Sequence, residues 1–339
     1  MKEALTYDDV LLVPQYSEIR SRKEVNPSSD LDSVRTLRLP IISSPMDTVT
    51  EGEMAYHMCI NGGLGVVHRY NSIEQQSSIV SNLRESMGDS CVVAAAVGVT
   101  GDFFERAKEL VKSGTDVICL DIAHGHHVLM KEALIALKVE FNDKIHVMAG
   151  NVATKQGFND LADWGADSVR CNIGGGSICS TRIQTGHGLP GLQTIMDCAE
   201  SDRDTKIIAD GGIRSSGDIV KALAAGADFV MLGSLLGGTH ESPGEKVITL
   251  AGVKKKYRGM ASKDAQVDWR GRFSSNEGIS TLIDCKGSVS NILRDLHNGL
   301  ISGLSYSGAR TITELQSKVD WVRQTGAGLG ESRTHILSK

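Results

Sequence analysis

At 339 residues the chain is well beyond the ~100–150 of a modal domain, so a large core with added loops fits. Hydrophobic residues make up 40% and charged residues 23%, near the averages of soluble globular chains, which excludes wholesale disorder. A net charge of −5 without a basic block excludes a nucleic-acid partner, and no apolar run reaches the ~18 residues of a spanning helix, so no membrane partner is expected either.

Short β-branched runs alternate with longer amphipathic stretches along the whole chain, the rhythm of βα units around a parallel sheet. In chain order the expected strands are Pro40–Ser44, Leu64–His68, Val92–Val97, Val117–Asp121, Ile145–Ala149, Ser168–Asn172, Lys206–Asp210 and Phe229–Leu232. They are apolar nearly throughout, as strands buried on both faces should be. Between them lie helical segments such as Asp102–Ser113, with Phe103, Ala107, Leu110 and Val111 at helical spacing. One signature recurs three times: Ser113-Gly114-Thr115-Asp116, Trp164-Gly165-Ala166-Asp167 and Ala225-Gly226-Ala227-Asp228. In each, Gly ends a helix where positive φ is required and Asp leads into the next strand. A doubly wound open sheet would show the same repeat, but eight strands allow the last to pair with the first. The expected fold is therefore α/β, a single-domain (β/α)8 TIM barrel. The remaining length falls in an N-terminal arm (Met1–Leu39), a loop after strand six (Gly174–Pro190) and an excursion after strand eight (Gly237–Lys286). The excursion, rich in Gly, Ser and mixed charge, reads as a short mobile lid.

MKEALTYDDV lacks the apolar segment of a secretory signal, so a cytoplasmic location is expected. The seven cysteines form neither a CxxC pair nor a zinc spacing. Six of them (Cys59, Cys91, Cys119, Cys171, Cys198, Cys285) are expected to be buried fillers in a reducing compartment.

Active sites of such barrels lie at the C-terminal ends of the strands. After strand seven comes Asp210-Gly211-Gly212-Ile213 and after strand eight Gly233-Ser234. Glycines there let backbone N–H groups approach a phosphate, although tight βα turns would read the same way. The loop after strand six carries Gly174-Gly175-Gly176-Ser177-Ile178-Cys179-Ser180-Thr181-Arg182. A cysteine on such a polar loop is placed to act as a nucleophile, with Arg182 one candidate source of favourable charge; the plain alternative is a thiol without chemistry. The run Asp121–His127 (DIAHGHH) suggests a metal site, but histidines on a Gly-containing turn lack the helical spacing of zinc hydrolases. Asp121 is read instead as a hydrogen-bonding partner of a cofactor ribose or amide, and some of the histidines as solvated loop residues.

With these residues in view, the chain resembles the IMP dehydrogenase/GMP reductase family over essentially its whole length. The matching segments are LTYDDVLLVP (Leu5–Pro14), IISSPMDTV (Ile41–Val49), GGLGVVHR (Gly62–Arg69), DIAHGH (Asp121–His126), GNVAT (Gly150–Thr154), GSICSTR (Gly176–Arg182), ADGGI (Ala209–Ile213), MLGSLLGGTHESPGE (Met231–Glu245) and YRGM (Tyr257–Met260). The resemblance implies that Cys179 attacks C2 of a purine nucleoside monophosphate, with Thr181 beside it. It implies that Ser44, Met46, Ser177, Asp210, Gly212, Gly233, Ser234, Tyr257, Gly259 and Met260 hold that nucleotide. Asp121, Ala123 and Asn151 would lie near the nicotinamide cofactor, and the main-chain carbonyls of Gly174, Gly176 and Cys179 would hold a monovalent cation such as K+. Family members are usually tetramers, so a homotetramer is expected.

Two reactions share the implied thioimidate. A dehydrogenase oxidises IMP with NAD and then needs activated water, the work of a long flap bearing an Arg-Tyr pair. Here only nineteen residues separate Tyr257 from Glu277, and they contain Arg272-Phe273 instead. Asn276-Glu277-Gly278 resembles the Ser-Glu-Gly of reductases, in which the Glu, with the Thr, protonates departing ammonia. The N-terminal motifs and DIAHGH look more like dehydrogenases. The paired CBS module of many dehydrogenases is absent between strands two and three, where about two dozen residues stand. The reading favours an NADPH-dependent GMP reductase; the alternative is an NAD-dependent IMP dehydrogenase with a shortened flap. A barrel that merely binds nucleotide and a flavin-dependent barrel are the readings from other classes.

Overall fold

The computed structural model describes residues 3–274 and 276–334; residues 1–2 of the arm, residue 275 of the excursion and residues 335–339 lie outside the described set. Eight parallel strands close into a barrel: β1 (Ile41–Ser43), β2 (Leu64–Val67), β3 (Ala94–Val97), β4 (Val117–Asp121), β5 (His146–Val152), β6 (Ser168–Cys171), β7 (Lys206–Asp210) and β8 (Phe229–Leu232). Each pairs with its sequence neighbours, and β8 pairs with β1, Val230 opposite Ile41. No CBS insertion interrupts the passage from β2 to β3, which is filled by a helix and a single 3-10 turn.

Side-chain alternation divides the core in two. Ile42, Leu64, Val66, Ala94, Ala96, Cys119, Met148, Ile208, Phe229 and Met231 fill the barrel. Ile41, Val67, Ala95, Ile118, Val147, Val169 and Val230 pack outward against the helices. Those helices are α1 (Gly52–Ile60), α2 (Ile73–Met87), α3 (Phe103–Lys112), α4 (Val128–Phe141), α5 (Lys155–Asp163), α6 (Gly191–Ala199), α7 (Ser216–Ala224) and α8 (Val289–Tyr306). Ser72, Thr154 and Ser215 start α2, α5 and α7 by accepting the N–H three residues on, at 3.1, 3.1 and 3.2 Å. Leu31 and Leu37 of the N-terminal arm join the interior cluster, so the arm closes the bottom of the barrel.

The threefold Gly-x-Asp repeat has a physical purpose. Gly114, Gly165 and Gly226 take φ of +102°, +106° and +112°, which ends each helix. The following aspartates then reach sideways: Asp116, Asp167 and Asp228 accept the main-chain N–H of Val93, Val147 and Ile207 at 2.8, 2.6 and 2.8 Å. Each repeat therefore ties the start of one strand to the start of its neighbour.

Three expectations change. Strand five runs to Val152, with a register shift between Gly150 and Val152 against β6, beyond the Gly at which a sequence reading stops it. The excursion after β8 holds a three-stranded antiparallel sheet, β9 (Lys246–Thr249), β10 (Gly252–Arg258) and β11 (Ser280–Asp284), and a helix, Lys263–Arg270. The cysteines are not all unpaired fillers: Cys59 and Cys91 form a disulfide, and Cys285 is partly exposed, because α1 and the segment before β3 bring the first two sulfurs together.

At Gly65 on β2 the barrel lies close against α1; a Cβ there would lie 2.5 Å from the Ala55 Cα. Gly65→Ala is expected to lower stability by about 1–3 kcal/mol through overpacking. Urea unfolding followed by circular dichroism checks this, and an unchanged midpoint would contradict the contact.

Candidate active site

Glycine-rich turns at the C-terminal ends of the strands leave a cavity of about 240 Å³ at the mouth of the barrel. Its wall includes Ser44, Met46, Gly174, Gly176, Ser177, Cys179, Thr181, Asp210, Gly212, Gly233, Ser234, Tyr257, Gly259, Met260 and Glu277. A second cavity of about 550 Å³ adjoins it, and Asp121, Ala123, Asn151, Met260 and Ala261 line both. The nucleotide, cofactor, cation and catalytic candidates of the sequence reading therefore all line one of two adjoining cavities at one mouth.

On the wall of the first cavity three side chains form a hydrogen-bonded chain. The Cys179 thiol donates to Thr181 Oγ1 at 3.1 Å, and that hydroxyl donates to Glu277 Oε2 at 2.9 Å. The chain exists because the excursion returns to the barrel as a strand-like segment. Ser180 N–H donates to the Glu277 carbonyl and Ile279 N–H to the Ile178 carbonyl, both at 3.0 Å, and Cys179 faces Gly278. Further anchors hold the excursion: Arg258 Nη2 meets Asp47 Oδ2 at 2.6 Å, and the Tyr70 hydroxyl donates to the Met260 carbonyl at 2.9 Å. Tyr70 also stacks on Trp269, with ring centroids 5.6 Å apart.

Close approach explains the glycines around the cavity. A Cβ on Gly233 would stand 3.1 Å from the Tyr257 hydroxyl, 3.3 Å from Met46 Sδ and 3.6 Å from Ser44 Oγ. Gly211 and Gly212 both take positive φ, +83° and +76°, which turns their N–H groups at the end of β7. Burial pushes the Tyr257 phenol up, so it stays a neutral hydrogen-bonding group at physiological pH.

Some assignments shift. The Arg182 guanidinium donates to the carbonyls of Ile173 and Leu189 and braces the loop. In DIAHGHH, His126 bonds Asp160 at 2.7 Å and His127 Nδ1 accepts the Leu129 N–H at the start of α4, so both have structural partners. Phe273 is half exposed beneath Lys263 and is not part of either cavity's described lining.

Sequence reasoning missed Arg170. It lies on the interior face of β6, buried, donating to Asp121 Oδ1 at 2.7 Å and to Asp210 Oδ2 at 2.9 Å. Burial pushes the Asp121 carboxyl up, but the charges of Arg170 and Arg69 outweigh it and hold the group ionised. A lone arginine in an otherwise apolar strand was the available signal, since arginine is seldom buried unless paired.

Comparison with known proteins fits this geometry. The model of the IMP dehydrogenase/GMP reductase domain matches residues 4–335. An inosine-5′-monophosphate dehydrogenase from Cryptosporidium parvum is 40% identical, covering 98% of this chain and 95% of the relative. A GMP reductase from Leishmania major is 32% identical, covering 100% and 98%, in an alignment of 482 positions against 339 residues here, so that relative carries segments this chain lacks. Among solved structures, a cysteine-to-alanine variant of GMP reductase from Trypanosoma brucei in complex with guanosine 5′-monophosphate superposes with a TM-score of 0.92 at 31% identity, covering 99% and 98% of the two chains. Barrel, cysteine loop and matched sequence agree: the chain belongs to the IMP dehydrogenase/GMP reductase family of oxidoreductases.

Proposed function

We propose that the protein is an NADPH-dependent GMP reductase that converts GMP to IMP and ammonia through a covalent bond from Cys179 to purine C2. The observation that carries this reading is the Cys179–Thr181–Glu277 chain. The thiol proton passes through Thr181 to the Glu277 carboxylate, leaving a thiolate to attack C2. The protonated Glu277 then returns a proton through Thr181 to the departing amino group, which leaves as ammonia. NADPH, when bound, would supply the hydride that replaces sulfur at C2, and the Cys179 thiolate would leave with the bonding pair of the C–S bond. Water activation needs a relay that Phe273, with no hydroxyl, does not offer.

The nucleotide would occupy the first cavity. Asp210 suits a ribose diol, because a carboxylate accepts two hydroxyl hydrogen bonds and its Oδ1 has no partner among the described residues. The N–H groups of Gly212, Gly233 and Ser234, with the Ser177 and Tyr257 hydroxyls, suit the phosphate, while Ser44, Met46, Gly259 and Met260 flank the base. The second cavity would take the dinucleotide, with Asp121, Ala123 and Asn151 at the junction. The carbonyls of Gly174, Gly176 and Cys179 supply neutral oxygen donors, the chemistry that replaces the water shell of K+. A homotetramer in the cytoplasm completes the proposal.

IMP dehydrogenase is the second reading, favoured by the 40% identity to the Cryptosporidium parvum dehydrogenase. Incubation with GMP and NADPH is expected to give IMP, and incubation with IMP and NAD to give no steady XMP. XMP in the second mixture with nothing in the first would reverse the assignment. Cys179→Ala is expected to abolish turnover while GMP affinity stays within roughly a few fold, since the nucleophile makes the bond and the cavity makes the complex. Retained turnover by this variant would sink the covalent route. Glu277→Gln keeps a hydrogen bond to Thr181 but holds no acidic proton. It is expected to lower kcat by about 10²–10⁴ with little change in the KM for GMP; an equal kcat would remove Glu277 from the reaction.

A further inference from the structure

A line of buried charge runs between the two cavities. Asp210 lines the first, Asp121 lines both and Arg69 lines the second. Arg170 joins them. Its Nη1 donates to Asp121 Oδ1 at 2.7 Å, and its Nη2 and Nε both donate to Asp210 Oδ2, at 2.9 and 3.1 Å. Arg69 Nε reaches the other Asp121 oxygen at 3.3 Å, and Asn151 Nδ2 donates to Asp210 Oδ2 at 2.7 Å. The remaining neighbour is the Cys119 thiol, 3.6 Å from Nη1; burial pushes its pKa up to about 11, so it adds no charge.

We propose that Arg170 is a positioning residue that couples the two cavities, so that a ligand held by Asp210 in one fixes Asp121 for a ligand in the other. The inference rests on the two-ligand reading above. A guanidinium is one rigid planar body, so the direction of its bonds to Asp210 sets the direction of its bond to Asp121. A nucleotide ribose on Asp210 Oδ1 orders that carboxylate and, through the fork, Asp121. The dinucleotide then meets a carboxylate already in place, and less ordering remains for the second binding step. By linkage the effect is reciprocal: each ligand tightens the other by the same factor. The lysine ammonium is a point charge on a flexible stem and cannot hold both carboxylates in one fixed relation.

The test is a double titration of the full chain by calorimetry with GMP and oxidised NADP, which has no hydride to transfer, carried out throughout with Cys179→Ala as the parent (wild type at position 170) so that GMP binds without forming the thioimidate. For the wild type, saturating NADP is expected to tighten GMP binding about 5- to 150-fold, the usual range of such couplings, and GMP to tighten NADP binding equally. In Arg170→Lys the factor is expected to fall to about one, with each ligand alone bound within roughly a few fold of wild type. A purely structural role would weaken single-ligand binding and leave the factor unchanged. Independent binding of the two ligands to the wild type, or equal coupling in Arg170→Lys, overturns the inference while leaving the proposed activity standing. A wild type that binds neither ligand overturns both. If Arg170→Lys does not fold, independent binding of the two ligands to the wild type still overturns the inference, and Arg170→Gln replaces the lysine variant with the same expected loss of coupling.

Discussion

Closure of the sheet is the constraint on which the site depends. Because β8 hydrogen-bonds to β1, the C-terminal ends of eight strands form one ring, and residues as far apart as Ser44 and Gly278 share a wall. An open sheet would spread the same loops along an edge. Closure also sets the electrostatics, since an interior side chain on one strand faces the side chains of the strands across the barrel. Arg170 is tolerated there because two carboxylates on β4 and β7 face it. Removing both would leave an uncompensated buried charge, the costly case for ions taken out of water. Asp121 and Asp210 thus compensate the buried guanidinium and line the cavity together, which ties the shape of the mouth to the integrity of the barrel.

Much of this was legible in the sequence because barrel strands are nearly all apolar and helix ends are marked by glycine. The strands Val117–Asp121, Lys206–Asp210 and Phe229–Leu232 coincide with the sequence reading, and Phe103–Lys112 is the helix expected over Asp102–Ser113, whose end residues act as its caps. The sheet in the excursion was not legible. KVIT, GVKKKYR and STLID leave most of their positions exposed or half-buried, and the first two carry lysines, so they lack the apolar continuity that revealed the barrel strands. Local pattern also carries no record of contacts made at a distance. Cys59 with Cys91, Asp47 with Arg258 and Tyr70 with Trp269 are each joined only by the folded chain. For the candidate site the cysteine loop and the paired glycine turns announced themselves, whereas Arg170 was hidden in a strand read as simple core.

The excursion makes the site as much as it covers it. Glu277 reaches Thr181 because main-chain hydrogen bonds align the two segments, with Ser180 Oγ adding a bond to the Asn276 carbonyl at 3.0 Å. Lys255 fixes the base of β10 in a different way. Its ammonium is buried and donates to the Thr239 carbonyl at 2.8 Å and to that of Ser242, and desolvation pushes its pKa down. A segment rich in charge and glycine is thus held by a few polar contacts with little apolar burial.

That construction gives the pairing of residues 178–180 with 277–279 an effect on traffic through the mouth. The same main-chain bonds that seat Glu277 also brace the thiol-bearing loop, so the covering segment cannot lift without unclasping the loop beneath it. Any displacement of the covering segment and any separation of Glu277 from Thr181 are mechanically one movement.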